Sequence, residues 1–358
     1  MLSSKIRAKE ETNNRAKDLK GVKTMLETIR IELGERSYDI NIGSGIMKYA
    51  DKYFDLDRKV AVITDSGVPK EYSEAIKGVA REAKVVTFPM GEESKSLATY
   101  AKICEELLEF NLQRGDAIVS VGGGVCSDIA GFIAATYMRG VDFYTVPTTT
   151  LAATDASVGG KNGIDFCGKK NILGAFLQPK GVIIDTDAFK TLDKRQYASG
   201  LAEIIKMAAT SDAELFCDLE AGLFDKDITS ALSRAIRIKK AVVEADERES
   251  GPRRILNFGH TIGHGIEALG GLTHGECVSL GMLPMCSAEV RERLVKLLSS
   301  VGLPTGAHID LEKALEFARS DKKASGDEVF AIFVDTVGEG RIEKIRFSDL
   351  VWRMKAFQ

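Results

Sequence analysis

Between Lys59 and Thr186 the chain repeats one unit, a short apolar run followed by an amphipathic stretch, and few folds accept that rhythm. The runs are KVAVITD (59–65), KVVTFP (84–89), DAIVSV (116–121), DFYTVP (142–147) and GVIIDT (181–186), with helical periodicity over 70–82 and 97–111. A strand that is apolar on both faces must be covered on both. Strands of that kind alternating with helices predict a mostly parallel sheet with helical crossovers. IRIEL and YDINI, around GERS, alternate apolar and polar residues and predict a β-hairpin ahead of the series.

After about residue 192 the texture changes. GLAEIIKMAAT, LSRAIRIKKAVVEAD and LEKALEFARSD carry the 3.6-residue period, and VFAIFV (329–334) is the main strand candidate. The division falls near residue 190, between an α/β domain over 25–190 and a mainly α-helical domain over 191–358. A cleft between two such domains suits a cofactor and a substrate. Residues 1–24 mix Lys5, Arg7 and Lys9 with Glu10, Glu11 and Asp18 and lack the apolar core of a secretory signal, so they are expected as a tail or extension.

A net charge of −3 gives no general attraction for nucleic acid or an anionic membrane, and no apolar run approaches the length of a bilayer span. The six cysteines form no C-x-x-C pair and are expected to be reduced, in a cytoplasmic protein. Cys277 lies three residues from His274 and is the one thiol near a possible metal site.

VGGGVCSDIAGF follows a predicted strand and opens a helix, with Gly122, Gly124 and Ser127 in G-x-G-x-x-G positions. Glycines there let the backbone approach a pyrophosphate at a helix N-terminus; a ligand-free tight turn would read the same way. Gly163, Gly168 and Lys169 mimic a P-loop, but Lys170 stands where Ser or Thr should hold magnesium, which argues against an ATPase. Arg139, Lys161, Lys170 and Asn171, with Gly159 and Gly160, offer directed donors for a phosphorylated or carboxylated small molecule. Solvated surface lysines on a flexible loop are the competing reading.

Three of the four histidines fall in LNFGHTIGHGIEALGGLTHGE (256–276). His260 and His264 share a helix face, and Thr261 removes the glutamate that a zinc protease needs. His274 follows a glycine-bearing turn, so two antiparallel helices would bring it beside His260. Glu203 is the candidate carboxylate, in an apolar stretch with Lys206 one turn on. Two histidines and a carboxylate leave a coordination position open, as catalytic zinc requires. A Glu–Lys pair on a helix surface is the alternative for Glu203.

GGGVCSDIAGFIAATYMRG, VPTTTLAATDASVGGKNGID, GKKNILGAFLQP, GLAEIIK, DERESGPRRILNFGHTIGH and THGECVSLGM together closely resemble the 3-dehydroquinate synthase family, and GERSYDINIGSG and GEESKS extend the likeness from about Met25 to the C-terminus. The resemblance implies an N-terminal Rossmann-like NAD-binding domain, a C-terminal helical metal- and substrate-binding domain, and a homodimer. It implies conversion of DAHP, a seven-carbon keto-acid sugar phosphate, to dehydroquinate and phosphate, the second step of the shikimate pathway. NAD would be reduced and reoxidised within each turnover, with phosphate elimination between and an intramolecular aldol closing the ring. Carried over by motif, Glu203, His260 and His274 would bind zinc, or cobalt in its place. His264 would assist proton transfer near the phosphate. Lys161, Asn171, Asn257 and Arg139 would hold the phosphate, Arg139 from a neighbouring subunit, while Lys239 and Arg253 pair with the carboxylate. Asp155, Lys206 and Glu249 would contact substrate hydroxyls. Asp65, Glu92 and Lys95 would hold the adenosine side of NAD, with Gly123, Gly124, Asp128, Thr148 and Thr149 along the pyrophosphate and nicotinamide. Ser127, Asn162 and Cys277 depart from the family pattern, where glycine, threonine and alanine are usual.

Three rivals make distinct demands. A sister sugar phosphate cyclase would share NAD and zinc but take another substrate. A metal-dependent polyol dehydrogenase would not need the phosphate and carboxylate cations. A non-enzymatic NAD-binding regulator would be expected to lose metal ligands.

Overall fold

The structure, a computed structural model, describes residues 26–249, 251–306, 310–321 and 328–357. The expected tail and His308, the fourth histidine, lie outside them. Seven strands form one sheet in the order β1-β2-β9-β6-β5-β3-β4. β1 (Glu27–Ile31) and β2 (Tyr38–Gly43) pair antiparallel as the expected hairpin. From β2 onward every pairing is parallel, through β9 (Gly181–Asp185), β6 (Asp142–Pro147), β5 (Ala117–Gly122), β3 (Lys59–Asp65) and β4 (Glu82–Phe88).

Strand β3 shows why these runs are apolar throughout. Val60 and Val62 pack into one core and Ala61 and Ile63 into another, on opposite faces of the sheet. Helices α1 (Lys70–Lys77), α2 (Leu97–Glu109) and α3 (Gly124–Thr136) follow β3, β4 and β5. The chain runs from β3 outward to β4, then returns to place β5 on the other side of β3. That reversal opens a crevice beyond the carboxyl ends of β3 and β5, where open α/β sheets hold ligands.

The second half is mainly helical: α4 (Lys194–Ser211), α5 (Ala213–Glu220), α6 (Leu223–Lys226), α7 (Ile228–Ala245), α8 (His260–Glu267), α9 (His274–Met282), α10 (Ala288–Ser300), α11 (Leu311–Asp321) and α12 (Phe347–Phe357). Element type changes between Asp185 and Lys194, yet one core crosses that point. Ile29, Ile31, Ile40 and Ile42 of the sheet edge share it with Leu201, Ile204 and Ile236 of the helices. Helix α4 is buried on every side from Ala198 to Thr210, so it forms the axis of the helical half. No helix among the described residues is long and apolar enough to cross a membrane.

Three sequence expectations need correction. Helix α1 ends at Lys77 rather than 82, because the chain turns at Gly78 and β4 begins at Glu82, where Lys59 pairs with it. The cationic 161–176 segment is an antiparallel hairpin, β7 (Lys161–Phe166) and β8 (Lys169–Phe176), rather than a loop. Its two turn residues, Cys167 and Gly168, have φ of 50° and 73°, the left-handed pair of a tight hairpin turn. Strand β10 (Glu328–Thr336) extends the expected run at both ends and has an unforeseen partner, β11 (Glu339–Arg346).

Candidate active site and metal centre

Helix α4 carries Glu203 into the interior, where its side chain is fully buried. Lys206, one turn on and also buried, donates to Glu203 Oε2. The Glu–Lys pair thus exists, but inside the protein rather than on a helix surface. Glu203 Oε1 has no hydrogen-bond partner, and a buried carboxylate oxygen left alone is costly. Burial alone would raise the Glu203 carboxyl; Lys206, His260 and His274 outweigh it and hold it well below the ordinary range.

The two histidines that face this oxygen come from separate helices. His260 is the first residue of α8 and sets its Nδ1 at 3.2 Å from the Phe258 carbonyl, which leaves Nε2 at 3.6 Å from Glu203 Oε1. His274 is the first residue of α9, with Nε2 at 3.7 Å from the same oxygen. The three ligand atoms lie within 4.8 Å of one another. A tetrahedral zinc with bonds of ~2.0–2.2 Å holds its ligand atoms about 3.4 Å apart. The donor set, its spacing and the orphan oxygen therefore fit a divalent metal. Buried Cys277 is not part of this cluster, and burial pushes its thiol up to about 12.

Glycines let these helices approach. A Cβ on Gly275 would stand 2.0 Å from the Ser199 carbonyl oxygen of α4, and one on Gly281 would stand 2.0 Å from the Gly259 carbonyl oxygen. Thr273 and Glu276 form a capping box at the start of α9, and Arg195 of α4 grips Glu276 with two 2.6 Å contacts. His274 is thereby fixed against the helix that carries Glu203. Gly275→Ala should lower stability by about 1–3 kcal/mol through overpacking and reduce metal content. A thermal melt with metal analysis checks this; wild-type values would contradict the packing account.

The metal cluster borders a cavity of about 290 Å³ that brings most of the expected substrate residues together. Lys161, Asn171, Lys206 and Lys239 line it, as do Arg253, Asn257, Asp155, Glu249 and His264. Acidic neighbours hold several of these donors: Lys239 Nζ lies 2.5 Å from Asp155 Oδ1, Lys161 donates to Glu249, and Asn257 donates to Glu249 at 2.8 Å. Lys239 and Arg253 are both almost fully buried. His264 lies on α8 with His260, their rings 5.2 Å apart. Arg139 does not join them. It sits exposed in the turn Tyr137–Arg139, held at φ 67°, and the lining does not include it.

The residues expected around NAD collect at the carboxyl edge of the sheet. Asp65 ends β3, Gly122–Gly124 joins β5 to α3, and Thr148 donates its N–H to the Gly122 carbonyl at 2.9 Å. A Cβ on Gly123 would press Thr149 at 3.3 Å, so that glycine keeps the turn open. Ser127 does not crowd the turn, because its hydroxyl bonds the Gly124 carbonyl within α3. Asn162 donates to the Gly160 and Leu177 carbonyls and fills the space beside Gly131. Lys95, buried, lies 2.7 Å from Asp128, 2.5 Å from Asn171 Oδ1 and 3.8 Å from Glu92.

Burial pushes the Asp128 carboxyl up to about 6, against the opposing pull of Lys95. Its folded value exceeds its ordinary one, so its contribution to stability is fully present below about pH 4 and is lost as pH rises through 6. The carboxyl-carbon resonance of Asp128 should titrate near pH 6 in the ligand-free protein. A midpoint below 4.5 would contradict this.

Sequence reasoning missed Glu267, which accepts from His274 Nδ1 at 3.1 Å. It also missed Arg195 and Glu276. Their signals were present: Glu267 closes the helix that holds two of the histidines, and T-x-x-E at 273–276 is a capping-box pattern.

A sheet with its crevice at the strand ends, joined to a helical half bearing a His-His-Glu cluster, offers a place for a dinucleotide beside a place for a divalent metal. Residues 85–199 match the model of the 3-dehydroquinate synthase N-terminal domain, and 200–324 that of the C-terminal domain. The 3-dehydroquinate synthase of Caulobacter vibrioides is 38% identical, over 89% of this chain and 95% of its own length. The chain belongs to the 3-dehydroquinate synthase family. Among solved structures, a 2-deoxy-scyllo-inosose synthase complexed with carbaglucose-6-phosphate, NAD+ and Co2+ superposes with a TM-score of 0.84 at 25% identity, covering 92% of this chain and 99% of the other. A 2-epi-5-epi-valiolone synthase from Streptomyces hygroscopicus with NAD+ and Zn2+ bound shares the fold at 24% identity, with a TM-score of 0.81 and coverage of 91% and 98%.

Proposed function

We propose that this protein is a 3-dehydroquinate synthase, a lyase that converts DAHP to 3-dehydroquinate and phosphate in the cytoplasm and works as a homodimer. The observation that carries the reading is the Glu203 carboxylate facing two histidine nitrogens beside a cavity lined by Lys161, Lys239 and Arg253. Asp65, Glu92, Lys95, Gly123, Gly124, Asp128, Thr148 and Thr149 would hold NAD, and Glu203, His260 and His274 would hold zinc or cobalt. When bound, NAD would supply a reversible hydride acceptor and the metal a Lewis acid for the substrate hydroxyls.

The protein's own groups do the rest. Lys239 and Arg253 pair with the substrate carboxylate, and their burial favours an anion that arrives already charged. Lys161, Asn171 and Asn257 hold the phosphate, with Arg139 of a second copy completing the set from its exposed turn. Asp155, Lys206 and Glu249 orient the hydroxyls. Phosphate loss breaks a carbon–oxygen bond and removes a proton from the adjacent carbon. His264, beside the phosphate end, hydrogen-bonds the leaving group and assists that transfer. Residues 25–190 are assigned to the dinucleotide, with Asp155, Lys161 and Asn171 reaching the substrate, and 191–358 to metal and substrate.

A sister cyclase would place no value on two buried cations for a carboxylate. A DAHP analogue with an alcohol in place of the carboxylate should therefore lose roughly 30-fold or more in kcat/KM, since truncating one partner of a buried charge pair costs ~2–5 kcal/mol. Equal turnover of the two would transfer the assignment to a sister cyclase.

A further inference from the structure

The His274 ring is addressed from both sides. Its Nε2 faces Glu203, and its Nδ1 lies 3.1 Å from Glu267 Oε2. Glu267 is the last residue of α8, where the helix dipole disfavours a carboxylate. A cation offsets that placement, and it comes from the other half of the chain: Lys170 of β8 lies 3.0 Å from Glu267 Oε1. The same ammonium stands 3.8 Å from Glu92, and the next residue, Asn171, accepts from Lys95 at 2.5 Å. One strand of the β7–β8 hairpin thus touches the dinucleotide side through Asn171 and the support of a metal ligand through Lys170.

We propose that Glu267 is a positioning residue for His274 and that Lys170 ties it to the hairpin, so that metal retention depends on how β8 is seated across the cleft. This rests on the metal reading of Glu203, His260 and His274. Glu267 lies outside the Glu203–His260–His274 set and contacts His274 and Lys170. It fixes which nitrogen of His274 is presented and in what orientation, as outer partners of histidine ligands do. Lys170 acts one step further out. Its removal leaves the Glu267 carboxylate uncompensated at a helix end and frees it to move off Nδ1.

The test compares wild type, Glu267→Ala, Glu267→Gln and Lys170→Met by chelator competition for zinc and by the visible spectrum of the cobalt-loaded protein. Glu267→Ala should weaken zinc retention by about 10- to 100-fold and alter the cobalt spectrum, while Glu267→Gln, which keeps an acceptor, recovers much of both. Lys170→Met, at a largely exposed position, should weaken retention several-fold without touching a ligand. Glu267→Ala with wild-type affinity and spectrum would overturn the positioning role, and unchanged affinity in Lys170→Met would overturn the tie to the hairpin. Wild-type protein that takes up neither zinc nor cobalt would overturn the metal reading beneath both.

Discussion

Replacing His260 with alanine should abolish metal binding. On this reading His260 would supply one of three ligand atoms, with its ring oriented by the Phe258 carbonyl. Loss of an outer partner costs ~10–100-fold in metal affinity, and loss of a ligand should exceed about 100-fold. Zinc content after dialysis should fall from one per chain to near zero, and turnover with it. The buried Glu203 carboxylate then loses one of the two histidine nitrogens that face its Oε1, so the variant should also melt earlier. Equal zinc content with full activity would remove His260 from the site.

His264→Ala separates proton transfer from metal binding. The two histidines stand on one helix with rings 5.2 Å apart, but His264 lies outside the Glu203–His260–His274 cluster and lines the cavity. Zinc content should stay at the wild-type level. kcat should fall by ~10²–10⁴-fold, the usual worth of a positioned acid or base, with a smaller change in KM. Elimination of phosphate should become the slow step, visible as a larger isotope effect on the carbon-bound hydrogen that is lost. A variant that loses metal as readily as His260→Ala would make His264 a ligand instead.

Much of this was legible in the sequence because the signals were local. The apolar runs from 59 to 186 mark β3, β5, β6 and β9, since a strand covered on both faces has no polar register to confuse it, and they also mark the half-buried edge strand β4. The histidine cluster was readable because His260 and His264 lie one helical turn apart and His274 follows a short glycine turn. The β7–β8 hairpin was not. Its lysines and small residues read as loop chemistry, and the Cys167–Gly168 turn lacks the usual Asn-Gly signature. Glu267 was passed over because its value depends on contacts with His274 and with Lys170, 97 residues away. Gly275 and Gly281 carry no signal of their own; only the packed helices reveal why a Cβ is excluded there. Arg139 shows the converse, a motif residue that the single chain leaves outside the cavity.

The most direct test of the proposed function follows phosphate release from DAHP by the zinc-loaded protein, with NAD absent or present in catalytic amount, while NADH absorbance is recorded. Release that requires NAD, yields dehydroquinate and leaves no accumulating NADH is the predicted result. Steady NADH formation from a simple polyol, with no phosphate released from DAHP, would contradict it.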